Sequence, residues 1–310
     1  MRLVLIGQAA FGQEVLSGLV AHGHEVALVY APPEKGGKAD PLAAEAAKLG
    51  LPLRTPAGYK SPEVASEVAA ARADLGVLAF VTKIVPPAVI DAPRLGTICF
   101  HPSILPRYRG GSALAWQLIR GETRGGFTVF WTDPGIDTGP ILLSREVEIG
   151  PDDTAGSLYF DKIFKAGVAG LVEAVDAIAA GKAPRLPQDE SLATYDPLCG
   201  DEHAAVRWAA PAKQVYDLVR GCDPQPGAHA AWQGGKLRLF DARPVPGRAG
   251  ARPGEVLAVG AEGLVVAAGP GGETALRFAR LRGPAAKAKA AEVAASVGLA
   301  PGSVLGDGVA

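Results

Sequence analysis

Arg2-Leu-Val-Leu-Ile-Gly-Gln-Ala-Ala-Phe-Gly12 is the stretch that decides the architecture. Its apolar run, residues 3–6, is short and unbroken, the pattern of a buried strand, and Gly7 ends it. Past Gly12 the apolar residues Val15, Leu16, Leu19 and Val20 recur at helical spacing until Gly23 supplies a stop. Glu25–Tyr30 then reads as a second strand. Strand, helix and strand in that order make a right-handed crossover onto a parallel sheet.

The alternation continues outward. Helices are expected over 41–49 and 62–71, with strands at 75–81, 97–100 and 126–131. An Ala-rich helical stretch follows Asp153 and stops at Gly181. Such alternation through residue 182 predicts an α/β domain, Rossmann-like, with helices on both faces of a mostly parallel sheet. Residues 183–203, with Pro184, Pro187 and Pro197 and no period, read as a linker. Beyond them a helix near 212–220 precedes short strands at 236–241, 254–259, 263–267 and 274–278, then a late helix near 285–297. Residues 204–310 are therefore expected to form a small C-terminal β-barrel (OB-like) domain.

Composition narrows the function classes. The chain has 310 residues, 48% hydrophobic and 20% charged, which suits an ordinary globular protein. With 31 basic against 32 acidic residues it is no nucleic-acid polyelectrolyte. The charge is uneven: residues 204–310 hold 13 basic and 8 acidic side chains, so that domain is net positive. Cys99, Cys199 and Cys222 show no metal or redox spacing, and an odd count makes no disulfide framework. No apolar run has membrane-span length and the N-terminus does not read as a signal peptide, so a cytoplasmic location is expected.

Three loops carry the chemistry. Gly7-Gln-Ala-Ala-Phe-Gly12 lies where a phosphate loop would, but Ala9 breaks G-x-G-x-x-G and Gln13 breaks the Walker pattern. It reads as a tight turn, with Gln8 and Phe11 on the substrate side of the sheet. His101-Pro-Ser-Ile-Leu-Pro-Arg-Tyr-Arg-Gly110 follows a strand directly, and its prolines stiffen a polar loop that carries Pro106 and Arg107 to the same side. Asp133-Pro-Gly-Ile-Asp-Thr-Gly139 sets a carboxylate between two glycines, a tight turn that aims it. A carboxylate beside an imidazole fixes the ring's tautomer and steadies the imidazolium. Cys99 shares a strand face with His101, so a Cys–His pair is an alternative to an inert core thiol. No G-x-S-x-G or H-E-x-x-H occurs.

These loops resemble the folate-dependent formyltransferase superfamily. So do Gly37-Lys-Ala-Asp-Pro-Leu42, Gly126-Phe-Thr-Val-Phe-Trp131, Gly181-Lys-Ala-Pro-Arg-Leu-Pro-Gln188 and Arg220-Gly-Cys-Asp-Pro-Gln-Pro-Gly-Ala228. The likeness is nearer to the hydrolase domain of 10-formyltetrahydrofolate dehydrogenases than to methionyl-tRNA formyltransferases. It implies 10-formyltetrahydrofolate as formyl donor, without a metal. It also implies His101 and Asp137 as the catalytic pair, with Lys83, Ile84, Val85, Ile136, Asp137 and Thr138 around the folate. Transferases of the superfamily carry Asn two residues before the histidine; Cys99 stands there, which points toward water rather than an amine as acceptor. The alternatives are transfer to initiator tRNA or to an amino-sugar or natural-product amine, and a folate-binding module without turnover. Residues 33–40 carry only Lys35 and Lys38 against Glu34 and Asp40, which disfavours tRNA. A membrane partner is not expected. The sequence ends at Ala310, so the oxidation performed by the dehydrogenases is not expected of it.

Overall fold

The decisive stretch folds as expected. In the computed structural model, which describes residues 1–308, Arg2–Gly7 is a buried strand (β1) and Ala9–Ala21 a helix (α1). Gly7 is required there, because a Cβ would run into the Ala79 carbonyl. The turn itself is tied down by Asp40, whose carboxylate accepts the Ala9 N–H at 2.9 Å and caps the next helix through the Leu42 N–H.

Glu25–Tyr30 (β2), Leu53–Arg54 (β3), Leu75–Ala79 (β4) and Thr97–His101 (β5) follow, separated by helices Pro41–Lys48 (α2), Pro62–Ala70 (α3) and Pro87–Ile90 (α4). The short strand Arg109–Gly110 (β6) and helix Ala113–Ile119 (α5) precede Arg124–Trp131 (β7) and Ile141–Glu148 (β8). The main sheet has the order β3-β2-β1-β4-β5-β7-β8. Strands β1 to β5 run parallel, whereas β7 is antiparallel to β5, pairing His101 with Thr128 and Ile98 with Trp131. Sequence reading found neither this reversal nor β8 and α5. Val4, Ile6, Tyr30, Val64 and Leu78 fill one side of the sheet, each under 10% exposed. Phe11 packs on Phe100 at 4.4 Å between centroids, and Phe100 on Phe127 at 5.6 Å.

The three-residue helix Ala155–Ser157 (α6) and a π-helical turn, Leu158–Ile163, lead into Phe164–Ala179 (α7). The chain then divides into two compact units. The first comprises 1–110, 126–147 and 160–195; the second comprises 111–125, 148–159 and 196–310, of which Val309 and Ala310 lie outside the described residues. The first half of the expected linker thus packs with the sheet: Arg185 lies 3.6 Å from the Trp131 ring centroid, and Leu186 bridges to Ile141. Tyr195–Asp196 (β9) marks the border.

In the second unit α5 packs on Ala212–Gly221 (α8), where a Cβ on Gly221 would meet the Ala115 carbonyl. Strands Ala228–Trp232 (β10), Gly235–Pro246 (β11), Val256–Gly260 (β12), Gly263–Ala268 (β13) and Thr274–Arg282 (β14) form an antiparallel sheet in the order β10-β11-β14-β13-β12. Ala288–Lys289 (β15) adds to β14, and the late helix is shorter than expected, Ala290–Ser296 (α9). Residues 303–306 then link the two outer strands: Val304 pairs with Glu255, and Gly306 with Ala231. Trp208 and Phe278 meet edge to face in the core. Among the described residues no helix is long and apolar enough to cross a membrane.

Candidate active site

His101 ends β5 and is 6% exposed. Its Nε2 lies 2.7 Å from the Tyr108 carbonyl, which can only accept, so Nε2 carries the hydrogen. That leaves Nδ1 as the nitrogen that can take up or give back a proton. Nδ1 faces Asp137, whose Oδ2 is 3.5 Å away. The loop supporting the imidazole is bonded throughout: Ser103 Oγ donates to the Arg107 carbonyl at 2.7 Å, Thr128 Oγ1 donates to the Ser103 carbonyl at 2.8 Å, and the Leu105 N–H donates to Thr128 Oγ1 at 3.1 Å.

Asp137 arrives by an unexpected route. The Thr132 N–H donates to the Thr97 carbonyl at the amino end of β5, because β7 runs antiparallel. Five residues later Asp137 stands beside His101 at the opposite end, so the 132–140 loop doubles back along β5. The turn needs special backbone: Asp137 adopts φ of 56°, and a Cβ on Gly139 would run into the Trp131 carbonyl. Asp133 closes the near side, accepting from the Gly135 N–H at 3.0 Å and from Thr138 Oγ1 at 2.6 Å. Asp137 Oδ2 accepts the Gly110 N–H at 2.8 Å. His101 and Asp137 are thereby held to one another by both loops.

Cys99 is half-buried on β5. Burial pushes its thiol well above the ordinary range, and the Asp137 charge pushes it the same way, which weighs against the Cys–His alternative.

The remaining expected residues fall in three settings. Lys83 and Ile84 are exposed on the loop after β4, Ile84 at 70%, while Val85 is half-buried. Ile136, 48% exposed, and half-buried Thr138 flank Asp137. Half-buried Gln8 receives the Thr82 hydroxyl at 3.5 Å, half-buried Pro106 and exposed Arg107 lie on the histidine loop, and Arg107 lies 5.3 Å from the Tyr108 ring centroid. Phe11, expected on the substrate side, is a core residue at 1% exposure that backs Phe100, because α1 turns it into the sheet. Sequence reading missed Arg109 and Gln188, which bond directly to the Asp137 turn or to each other. A groove of about 560 Å³ between α1 and α7 contains none of these residues. Among the described residues no three His, Cys, Asp or Glu side chains are grouped to hold a metal.

A buried imidazole whose Nδ1 faces an aimed carboxylate on an α/β sheet is an arrangement suited to proton transfer in general acid–base chemistry. Residues 1–175 match the formyl transferase model and residues 200–296 the formyl transferase C-terminal domain. The chain belongs to the formyl transferase family, a family of enzymes. It is 44% identical over 278 residues to the cytosolic 10-formyltetrahydrofolate dehydrogenase of Homo sapiens, covering 84% of this chain and 31% of that one. It is 37% identical over 277 residues to the methionyl-tRNA formyltransferase of Moorella thermoacetica, covering 87% and 89%. The chain thus spans under a third of the dehydrogenases it matches. In fold it is similar to HypX from Aquifex aeolicus, solved with tetrahydrofolic acid, with TM-score 0.71 and 24% identity over 96% of this chain and 47% of that one.

Proposed function

We propose that this chain removes the formyl group of 10-formyltetrahydrofolate, releasing formate by hydrolysis. The observation that carries this reading is the approach of His101 Nδ1 to Asp137 Oδ2 at 3.5 Å. A formyl group on nitrogen needs three things: a delivered nucleophile, stabilised charge on oxygen and a proton for the departing nitrogen. Asp137 orients the water. His101 Nδ1 takes its proton as the water oxygen bonds to the formyl carbon. The resulting imidazolium faces the new oxyanion, and its Nδ1 proton passes to the folate nitrogen as the carbon–nitrogen bond breaks. Formic acid, which gives up its proton to solvent as formate, and tetrahydrofolate leave, and the imidazole is neutral again.

The catalytic work is assigned to residues 1–182 with the part of residues 183–203 that packs on the sheet, and residues 204–310 are assigned as an accessory β domain. Exposed Ile84 and Ile136 give apolar contacts for a pterin ring, alongside Lys83, Val85 and Thr138; Gln8, Pro106 and Arg107 lie on the substrate side. Cys99 supports water as acceptor. A thiol is a weak donor, so the oxyanion rests more on His101, and a second donor is not identified. Transfer to initiator tRNA is the second reading, favoured by the full-length similarity to the Moorella enzyme and by the net positive second domain.

The test mixes the protein with 10-formyltetrahydrofolate and follows formate with water alone, with charged initiator tRNA and with amines. Formate from water alone at catalytic rate is expected. Formylated product only with an acceptor selects transfer; tRNA binding that falls steeply with salt would accompany it. No product in any arm leaves a folate-binding module.

A further inference from the structure

Gln188 lies some fifty residues from Asp137 in sequence, yet its side-chain amide holds the turn that carries it. Gln188 Nε2 donates to the Asp137 carbonyl at 2.8 Å and to the Gly139 carbonyl at 2.7 Å. Its Oε1 accepts from Arg109 Nε at 3.2 Å and Nη2 at 2.8 Å. The amide cannot be turned over: a guanidinium only donates and carbonyls only accept. Arg109, 6% exposed, is fixed in turn by Glu190, through Nη1 at 2.9 Å and Nη2 at 2.7 Å. The residue after Arg109 is Gly110, whose N–H donates to Asp137 Oδ2. The Asp137 backbone and the Asp137 carboxylate are therefore held by the same short strand, once through Gln188 and once directly.

We propose that Gln188 is a positioning residue, which keeps Asp137 in its left-handed conformation with its carboxylate toward His101. This rests on the catalytic reading above. A non-glycine residue at φ of 56° persists only where its surroundings over-determine it, and the two amide donors do that here. The variant Gln188→Glu keeps an oxygen for Arg109 and removes both donors; Gln188→Met removes all four bonds.

The expected result is a kcat lower by about 10- to 100-fold with little change in KM for the folate, since misplacing a reacting group costs on that order. In an Asp137→Asn background the same substitutions should cost less than about 2-fold, because residues acting as a unit are non-additive. Amide exchange across residues 133–140 should speed up while β1 and β4 stay protected, and this readout needs no activity. An unchanged kcat, an equal loss in the Asp137→Asn background, or unchanged exchange in the variants would overturn the proposal. Inactivity of the wild-type protein would instead count against the proposed function and leave the exchange result to decide Gln188.

A different observation carries a second site, in the other unit. Cys199 and Cys222 bring their sulfurs to 3.9 Å. Cys222 caps α8 and is fully buried; Cys199 is half-buried, with its N–H donating to Ser112 Oγ at 3.1 Å. We infer that these two form a redox-modifiable dithiol, closed by a hydroperoxide. Either sulfur can donate to the other; Cys199, the half-buried one, is the sulfur a peroxide can reach and is therefore the attacking one. Its thiolate takes one oxygen from hydrogen peroxide, releasing hydroxide that becomes water. The Cys222 thiol then displaces the sulfenic oxygen as a second water, and the two sulfurs are oxidised by two electrons. The sulfurs must close to about 2.05 Å.

Peroxide-treated protein should lose two hydrogens in intact mass, with residues 199 and 222 joined in the peptide map and the change reversed by dithiothreitol. Cys222→Ser should leave a sulfenic acid at residue 199 that dimedone traps, and Cys199→Ser should abolish the mass change. Free thiols at both residue 199 and residue 222 after oxidation, or a bridge involving Cys99, would overturn the inference.

Discussion

His101 and His229 are both buried, and they could hardly differ more in how. His101 has one nitrogen bonded to a carbonyl and the other facing a carboxylate. His229, on β10 with no exposed surface, has a partner for neither nitrogen. Burial lowers the pKa of His229 first, and Lys236 and Arg238 lower it further against the opposing pull of Asp201. Burial alone therefore does not mark a working histidine; the groups it faces do. On the reading proposed above, one ring exchanges a proton, whereas burial and the nearby cations of the other disfavour its protonation.

The largest effect tests that contrast directly. His101→Ala should lower the rate of formate release by about 10²–10⁴ while the protein still folds and binds folate. His229→Leu should leave kcat within about 2-fold and act only on stability. A rate loss for His229→Leu comparable to that of His101→Ala would erase the distinction.

Next comes the backbone that aims Asp137. Gly139→Ala puts a methyl group into the Trp131 carbonyl, so the turn must shift. Misaim of that size is expected to cost about 10² in kcat, read by steady-state kinetics. Thr128→Val acts one step further back. It removes the hydroxyl that joins the Ser103 carbonyl and the Leu105 N–H under the histidine loop, and should cost about 1–3 kcal/mol in urea unfolding.

The smallest effect is on pH dependence. The His229 pKa is lowered in the folded protein, so as pH falls below about 6.5 the unfolded chain binds that proton while the folded chain resists it. Stability is then lost on acidification from that pH. His229→Leu should show a shallower fall in urea midpoint between pH 7.5 and pH 5 than wild type; equal falls would show that another group governs the acid limb.

How far the sequence revealed this site follows from the range of the interactions. The Asp137 turn was legible because Gly135 and Gly139 are required locally, and His101 because it follows a strand into a loop of prolines. The reversal of β7 left no such mark: its alternating Phe127, Val129 and Trp131 fit either direction. Gln188 was invisible for a related reason. It sits in an aperiodic segment, and its partners, Arg109 and the Asp137 turn, come together only when that segment folds back along the sheet. Phe11 shows the converse, since its place in a substrate-side loop concealed that α1 turns it inward onto Phe100. Likewise, helix α5 was missed because its seven residues are too few to display a period.

The stitch made by residues 303–306 has a consequence far from any chemistry. By pairing at Glu255 beside β12 and at Ala231 on β10, it shares the cover of the second unit's outer strands with Ala205, which pairs with His229. Without it, the amide and carbonyl groups of those positions would face solvent, where an unpaired edge can template the addition of a foreign strand.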